Sequence, residues 1–194
     1  MTKDENSQNI VKPDADGLAK AATRAGRKGP PPVHLWDPPF CGDLDMRIAR
    51  DGTWFYEGTP IGRPAMVRLF ASILKREGDA YFLVTPVEKV GIRVEDAPFI
   101  AVDYTIEAPG PAQVLRFETN LGDRVEAGPD NPIRVETGAD GEPAPYVHVR
   151  RGLEARIDRK SFYRLVEAGE VEGEAFGIRS GGAFFRIGAA ADLG

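Results

Sequence analysis

Short runs of alternating apolar and polar residues are spread over most of the chain. The clearest lies in residues 99–106, where Ile100, Val102, Tyr104 and Ile106 alternate with small or polar residues. A period of two residues is typical of a strand that buries one of its faces. This segment is therefore predicted to belong to a sheet with one face open to solvent.

Glycine-containing turns separate further β-prone runs. Asp51-Gly52 stands between two of them and is typical of a type I′ hairpin turn, which needs positive φ angles. Gly181-Gly182 marks a second hairpin near the end of the chain. The other predicted strands are residues 45–50, 53–56, 81–85, 91–94, 113–119, 124–127, 133–137, 146–150, 153–157, 176–179 and 184–187.

Two segments carry apolar residues at helical spacing instead. The first predicts a helix over residues 64–76, which Gly78 ends, and the second predicts a helix over residues 159–169 with Asp158 as its N-cap. The predicted buried stripes are Met66, Leu69, Phe70, Ile73 and Leu74 in the first helix and Phe162, Leu165 and Val166 in the second.

These elements form an internal repeat. Residues 61–70 and 157–166 align without a gap, and four of the ten positions are identical. Matching segments precede and follow both helices in the same order, namely residues 50–52 with 150–152 and residues 77–81 with 172–176. The shared order of these matching segments indicates two copies of a hairpin-helix-strand unit whose apolar stripes coincide. The alternative is that two unrelated segments share helix-start chemistry.

The elements predict an α+β protein of two β-rich modules, in which one helix covers each sheet. Residues 1–32 are poor in apolar side chains and are expected to form a flexible arm. Within the arm, residues 16–25 are expected to form a helix only if it docks on something. Residues 33–99 are the predicted first module, and residues 100–194 are the second, which contains the second copy of the repeat in residues 146–187.

The first copy also carries a family resemblance. Residues 43–48, residues 51–61, the Arg-Leu-Phe run at residues 68–70 and residues 81–89 resemble a family of bacterial proteins known only as a domain of unknown function. The likeness extends from residue 33 to the end of the chain. It implies a two-part fold with repeated strand-helix motifs, reminiscent of pleckstrin-homology-like modules, and a role in signal transduction. It implies no catalytic residues.

Composition and charge exclude several classes of function. The net charge of −5 and the short basic runs argue against a nucleic-acid partner, because phosphate neutralisation needs clustered Lys and Arg. Cys41 is the single cysteine, so neither an intramolecular disulfide nor a thiolate metal cluster is expected. We see no signal peptide and no apolar run of about 18 residues. A cytoplasmic protein without a membrane span or cofactor is therefore predicted.

Arg63 and Arg159 recur at equivalent points near the two helix starts. A cation there opposes the helix dipole, so an anion is expected nearby. One alternative is an internal carboxylate such as Glu57 or Glu154. The other is a bound phosphate or carboxylate that uses the guanidinium and the helix N-terminus together.

Trp54, Phe55 and Tyr56 are consecutive on a predicted strand, so Trp54 and Tyr56 share one face. They are candidates for a binding surface or a dimer interface. The alternative is that they pack under the strand of residues 99–106.

A further group of candidate residues comprises His34, Asp37, Cys41, Asp43 and Asp45. Such residues supply metal sites and catalytic groups. With one His and one Cys in the segment, a structural turn that leads into the first strand is the favoured interpretation, and no metal site is predicted.

Together these features predict a non-enzymatic binding or signalling module. It is expected to recognise a small anionic ligand or a protein partner in a groove between the repeats, with Arg63, Arg159, Trp54 and Tyr56 as candidate binding residues. Two alternatives stay open: an enzyme that uses the carboxylate, His and Cys cluster of residues 34–45, and a structural homodimer.

Overall fold

The computed structural model describes residues 13–26 and 29–193, which form three α-helices and fifteen β-strands in three sheets. The helices are α1 (Ala15–Ala25), α2 (Pro64–Ser72) and α3 (Arg159–Glu167). The strands are β1 (Phe40–Ile48), β2 (Trp54–Tyr56), β3 (Thr59–Pro60), β4 (Leu74–Glu77), β5 (Ala80–Val84), β6 (Lys89–Val94), β7 (Phe99–Glu107), β8 (Val114–Thr119), β9 (Arg124–Glu126), β10 (Ile133–Thr137), β11 (Pro143–Arg150), β12 (Leu153–Ile157), β13 (Glu170–Glu172), β14 (Ala175–Ser180) and β15 (Ala183–Ala189). Within these ranges, no helix has the length and apolar character needed to cross a membrane.

The first module is a six-stranded sheet in the order β3-β2-β1-β6-β5-β4. Its strands pair antiparallel except for β1 and β6, which are parallel. Phe70 of α2 is fully buried, and its ring stacks on Trp54 of β2 with 6.4 Å between the ring centroids. Pro64 occupies the first helical position, where its missing N–H leaves no bond unmade. The helix thus packs its apolar face on this sheet.

The second module has a six-stranded sheet in the order β10-β11-β12-β7-β8-β9 and a three-stranded sheet, β13-β14-β15. Ser180, at the end of β14, joins the two sheets. Its hydroxyl donates to the carbonyl of Ala127 (2.7 Å) and accepts the N–H of Leu115 (2.8 Å). Helix α3 contacts both β7 and β14. The predicted fold class, α+β with two β-rich modules, is confirmed.

Helix α1 packs against α2 and buries Leu18 and Ala22 completely. Residues 16–25 were expected to form a helix only if it docks. The helix is formed, because docking removes its apolar stripe from water. The prediction of a flexible arm over residues 1–32 is therefore wrong for the residues of this helix. Residues 1–12 lie outside the described residues.

The repeat is confirmed in the order of its elements and in its turns. Both copies run through a hairpin, a helix and a strand that leads into a two-residue turn. Gly78 and Gly173 open these turns with the same φ of 61°. The copies differ in strand pairing, since β1 pairs with β6 in the first copy, whereas β12 pairs with β7 in the second. The second copy therefore places its last three strands in a separate sheet.

Both repeat helices end earlier than predicted. Helix α2 ends at Ser72 rather than at residue 76, and α3 ends at Glu167 rather than at residue 169. The residues that follow form β4 and β13, which pair antiparallel with β5 and β14. Pairing with a neighbouring strand decides the conformation of these residues, because local helical spacing is a weak signal that such contacts override.

The expectation that the two apolar stripes coincide is wrong. Helix α3 buries Phe162 and Leu165. The aligned residues of α2, Met66 and Leu69, are only half-buried beside α1, while Phe70 is fully buried. Helix α2 is apolar over a wider arc, so one stripe packs on the sheet and the other contacts α1.

The alternation predicted for residues 99–106 is also wrong in its detail. A bulge interrupts β7 between Ala101 and Asp103. Ala101 and Tyr104 are both buried, whereas Val102 is partly exposed. The extra residue at the bulge places Ala101 and Tyr104 on one face although they are three positions apart.

The β1–β2 turn is not of type I′. Gly52 has a φ of 86°, but Asp51 does not have a positive φ. The equivalent turn of the second copy has positive φ at both Arg151 (48°) and Gly152 (77°), as type I′ requires. In the first copy, Asp51 accepts the N–H of Thr53 (2.9 Å), and this bond lowers the pKa of the Asp51 carboxyl.

Candidate functional site

A cleft of about 400 Å³ lies between the two modules. The first module contributes the β1–β2 turn, and the second contributes the β10–β11 turn, the end of β12 and the first turn of α3. The charged lining residues are Arg50, Asp51, Asp96, Asp140, Glu142, Arg156, Asp158 and Arg159, and the apolar ones include Ile100, Pro143, Pro145, Phe162 and Tyr163. Apolar walls with a few convergent polar groups are typical of small-molecule sites.

The β1–β2 turn is fixed at the cleft by close contact with the second module. A Cβ atom at Gly52 would lie 2.8 Å from Nδ2 of Asn120 and 2.9 Å from the side chain of Ile100. Asn120 is itself held in place, since its Oδ1 accepts the N–H of Ile100 (3.0 Å). Glycine alone permits both this approach and the positive φ. Arg50 and Asp51 are thereby positioned at the cleft.

Several charged groups of the cleft are already engaged within the protein. Arg156 donates to one oxygen of Asp96 (3.1 Å), and the hydroxyl of Tyr146 donates to the other (2.6 Å). Asp158 accepts the N–H of Ser161 (2.8 Å) and so caps α3. Burial raises the pKa of Tyr146, so its hydroxyl stays protonated and continues to donate to Asp96 at neutral pH.

Arg50 and Arg159 differ from these groups. Both are exposed, and neither guanidinium has a carboxylate partner among residues 13–26 and 29–193. On the acidic side of the cleft, Asp140 accepts only the backbone N–H of Glu142 (3.1 Å) within the same part of the chain. The cleft therefore presents one unpaired cation from each module and an acidic rim from the β10–β11 turn.

The internal carboxylates considered as partners for the two helix-start arginines do not bind them. Glu154 instead accepts two bonds from Arg134, at 2.6 and 2.7 Å. Glu57 lies in a tight turn with a φ of 48°. The anion expected near Arg63 and Arg159 is thus not supplied by either residue.

A ladder of side chains from the second module lies beside the cleft, and a hydrogen bond near it joins the two modules. Arg134, Tyr146 and Arg156 lie opposite one another on β10, β11 and β12. Both guanidinium groups lie over the Tyr146 ring, at 4.2 and 5.2 Å from its centroid. From the first module, Arg76 donates to the carbonyl of Gly152 (3.1 Å). The ladder holds Arg156 in place and leaves Arg159 as the accessible cation of that wall.

Arg63 and Arg159 lie at two different sites. Arg63 is the N-cap residue of α2 and lines a groove between α1 and α2. Arg159 is the first residue of α3 and lines the cleft between the modules. The structure does not bring the two residues together, although they align in the repeat.

Trp54 and Tyr56 face the core. Trp54 is 2% exposed, and Tyr56 is half-buried against the same core. Phe55 occupies the opposite face of β2, under the guanidinium of Arg47 at 4.1 Å. Neither candidate therefore forms an exposed binding surface. The packing alternative is the better description, although Trp54 packs on α2 rather than under β7.

The cluster considered near residues 34–45 does not assemble. His34 is exposed in a short 3₁₀ turn, and the thiol of Cys41 donates to the carbonyl of Pro39 at 3.3 Å. Asp43 and Asp45 are exposed on β1. In the part of the chain that the structure describes, no group of three or more His, Cys, Asp or Glu residues is placed to hold a metal ion.

Arg50 is a cleft residue that the sequence alone does not single out. Arg50 aligns with Arg150 in the repeat, and this match was the available signal. Arg150 donates to Asp123 (2.7 Å), whereas Arg50 has no such partner in the described residues. The repeat marks the position, but only the tertiary structure shows that the first copy leaves its arginine free.

Two family models match the chain in succession. The model of the N-terminal domain of DUF1285, a domain of unknown function, matches residues 31–97. The model of the C-terminal domain of DUF1285, a protein of unknown function, matches residues 98–187. A search of curated proteins finds no match to the chain.

Two solved structures are similar to this chain. The crystal structure of a DUF1285 family protein from Silicibacter pomeroyi DSS-3 is 64% identical, and the match covers 93% of this chain and 99% of that one with a TM-score of 0.86. The crystal structure of a DUF1285 family protein from Shewanella baltica OS155 is 33% identical, over 64% of this chain and 91% of that one, with a TM-score of 0.51. The pleckstrin-homology-like resemblance stays a prediction.

Proposed function

Since the chain belongs to the DUF1285 family, whose description assigns no activity, we propose a function from the geometry of the cleft. The protein is a non-enzymatic binding module that recognises a small anionic ligand between its two modules. One observation carries this proposal. Arg50 from the first module and Arg159 from the second line the same cleft, and neither has a carboxylate partner in the described ranges.

The position of Arg159 favours an anion. A cation in the first turn of a helix is repelled by the helix dipole unless a negative charge accompanies it. The N-terminus of α3 and the guanidinium of Arg159 both attract phosphate or carboxylate, and a guanidinium binds either group with two parallel hydrogen bonds. An anionic group between Arg50 and Arg159 would satisfy both cations.

The rest of the lining indicates what else the ligand carries. Tyr163 is 57% exposed at the cleft, and together with Ile100 and Pro143 it offers an apolar surface to a ring. Asp140 and Glu142 accept hydrogen bonds from amino or hydroxyl groups. The ligand class that fits is a phosphorylated or carboxylated metabolite with a ring that bears such groups.

A ligand held by both modules favours the arrangement in which both walls contact it. Such a ligand therefore links metabolite concentration to the conformation of the protein, as signalling requires. The cytoplasmic location expected from the single Cys41 fits this role, since metabolites of this class would be sensed inside the cell.

A thermal-shift screen tests the proposal. The panel contains orthophosphate, adenosine monophosphate, cyclic adenosine monophosphate, glucose 6-phosphate and citrate. At about 100 times its dissociation constant, a ligand adds about 2.7 kcal/mol to the free energy of unfolding, which raises the midpoint by several degrees. We expect at least one compound to do so. The shift should fall to about half in Arg159→Ala, because a tenfold weaker affinity leaves about 1.4 kcal/mol of stabilisation. It should be kept in Arg124→Ala, a control at an exposed arginine of the second module outside the cleft.

The same variants show whether Arg159 has a structural role instead. Without ligand, Arg159→Ala should not lower the midpoint, because the change removes a cation that opposes the dipole of α3. The proposal fails if no compound of the panel shifts the wild-type midpoint. It also fails if the shift stays undiminished in either Arg50→Ala or Arg159→Ala.

A further inference from the structure

The groove between α1 and α2 has a charge unlike that of the molecule as a whole. Its volume is about 490 Å³, and its walls carry Lys20 and Arg24 from α1 and Arg63 from the start of α2. No carboxylate lines the groove, and none of the three cations forms an ion pair, among the residues that the structure covers. The chain nevertheless has a net charge of −5. The groove is therefore a local basic site on an acidic protein.

The floor of the groove is apolar and incompletely covered. Met66 and Leu69 align with Phe162 and Leu165, which are buried in the second copy of the repeat. In the first copy, α1 covers this stripe only in part, so Met66 and Leu69 stay half-buried beside Ala19. A flexible Met side chain adapts to the shape of different partners. The groove thus combines an adaptable apolar floor with a basic rim.

We infer that this groove binds an acidic amphipathic helix of a partner protein. A groove between two packed helices accepts a third helix by the same interlocking of side-chain ridges that joins α1 to α2. Lys20 and Arg24 are four residues apart, so they project from one side of α1 and meet acidic residues spaced by one helical turn. Apolar residues of the incoming helix would cover Met66 and Leu69. This site is separate from the cleft, and the inference does not depend on the metabolite.

A membrane surface fits the groove less well. The net charge of −5 opposes approach to anionic lipid. A helix is narrow enough to contact the rim and the floor together.

Fluorescence anisotropy with a labelled peptide tests the inference. The probe is an amphipathic helix of about 18 residues, or five turns, with leucines on one face and glutamates beside them. The control peptide has lysine in place of each glutamate. We expect the acidic peptide to bind and the basic peptide not to bind. Failure of the acidic peptide to bind would overturn the inference.

Substitutions at Ala65, which lines the groove in the first turn of α2, provide a matched pair. Ala65→Glu places a carboxylate in the groove and should weaken the acidic peptide about tenfold or more, whereas Ala65→Gln, of nearly the same size, should not. A first-turn glutamate suits the helix dipole, so the thermal midpoint should not fall. Equal affinity of the two variants would place the peptide elsewhere.

A charge-neutralised variant locates the basic rim. Changing Lys20, Arg24 and Arg63 together to glutamine should also weaken the acidic peptide about tenfold or more. The control is the triple glutamine variant of the exposed cations Arg93, Arg124 and Lys160, which should bind as the wild type does. If the wild type sediments with phosphatidylglycerol vesicles while the peptide does not bind, the groove is a membrane site and the inference is wrong.

Discussion

Replacement of Phe70 by alanine is expected to lower the free energy of unfolding by about 3 to 5 kcal/mol. Phe70 is fully buried, and its ring stacks on that of Trp54 at an interplanar angle of 18°. The substitution removes the ring contact and leaves a cavity between α2 and the first sheet, which the surrounding residues fill only in part. Small domains have a total stability of about 5 to 15 kcal/mol, so this loss is a large fraction of the total.

Urea unfolding followed by tryptophan fluorescence measures the loss, because Trp54 is in contact with the substituted ring. Tyr163→Ala is the matched control, since Tyr163 is an aromatic residue of the other repeat helix that is 57% exposed. The control should change the stability by less than about 1 kcal/mol. A loss below about 2 kcal/mol in Phe70→Ala would show that α2 does not pack on Trp54 as described.

Ser180→Ala is expected to cost about 2 to 4 kcal/mol, a large effect for the removal of one oxygen atom. The Ser180 hydroxyl is fully buried and bonds both the N–H of Leu115 and the carbonyl of Ala127. Alanine would leave these two backbone groups without a partner in a dry interior, and each unpaired group costs about 1 to 3 kcal/mol. The small third sheet should therefore detach more easily from the second sheet.

Ser161 provides the control for this prediction. It is a second fully buried serine, but its hydroxyl has no hydrogen-bond partner in the described ranges. Ser161→Ala should thus be neutral or should stabilise the protein by up to about 1 kcal/mol, because alanine also favours the helix. Urea midpoints of both variants measure the difference. Equal losses for Ser180→Ala and Ser161→Ala would contradict the role given to the Ser180 hydrogen bonds.

Most strands and both repeat helices were predictable because glycines mark the turns between them. The φ of 61° shared by Gly78 and Gly173 shows that the repeated sequence encodes the same turn twice. Strand β4 was misjudged as the end of a helix, since its residues also continue the helical spacing and only pairing with β5 decides between the two. The parallel pairs β1–β6 and β12–β7 join segments far apart in sequence, and no local pattern specifies them.

The candidate site was predictable only in part. The position of Arg159 at a helix start indicated a nearby anion, either an internal carboxylate or a ligand, and the structure leaves its guanidinium without a carboxylate among the residues it describes. Alternation on β2 placed Trp54 and Tyr56 on one face, but it does not tell which face is covered. Arg50 enters the cleft because the turn at Gly52 packs on Asn120, a tertiary contact. Such contacts have no signature in a single sequence.

In the proposed function, one ligand is held by both modules. Isothermal titration with the panel compound that raises the midpoint most tests it directly, on the wild type and on Arg50→Ala, Arg159→Ala and the control Arg124→Ala. We expect each cleft variant to weaken the affinity about tenfold, which equals about 1.4 kcal/mol, and the control to leave it unchanged. Unchanged affinity in either Arg50→Ala or Arg159→Ala would show that the ligand does not bridge the two modules.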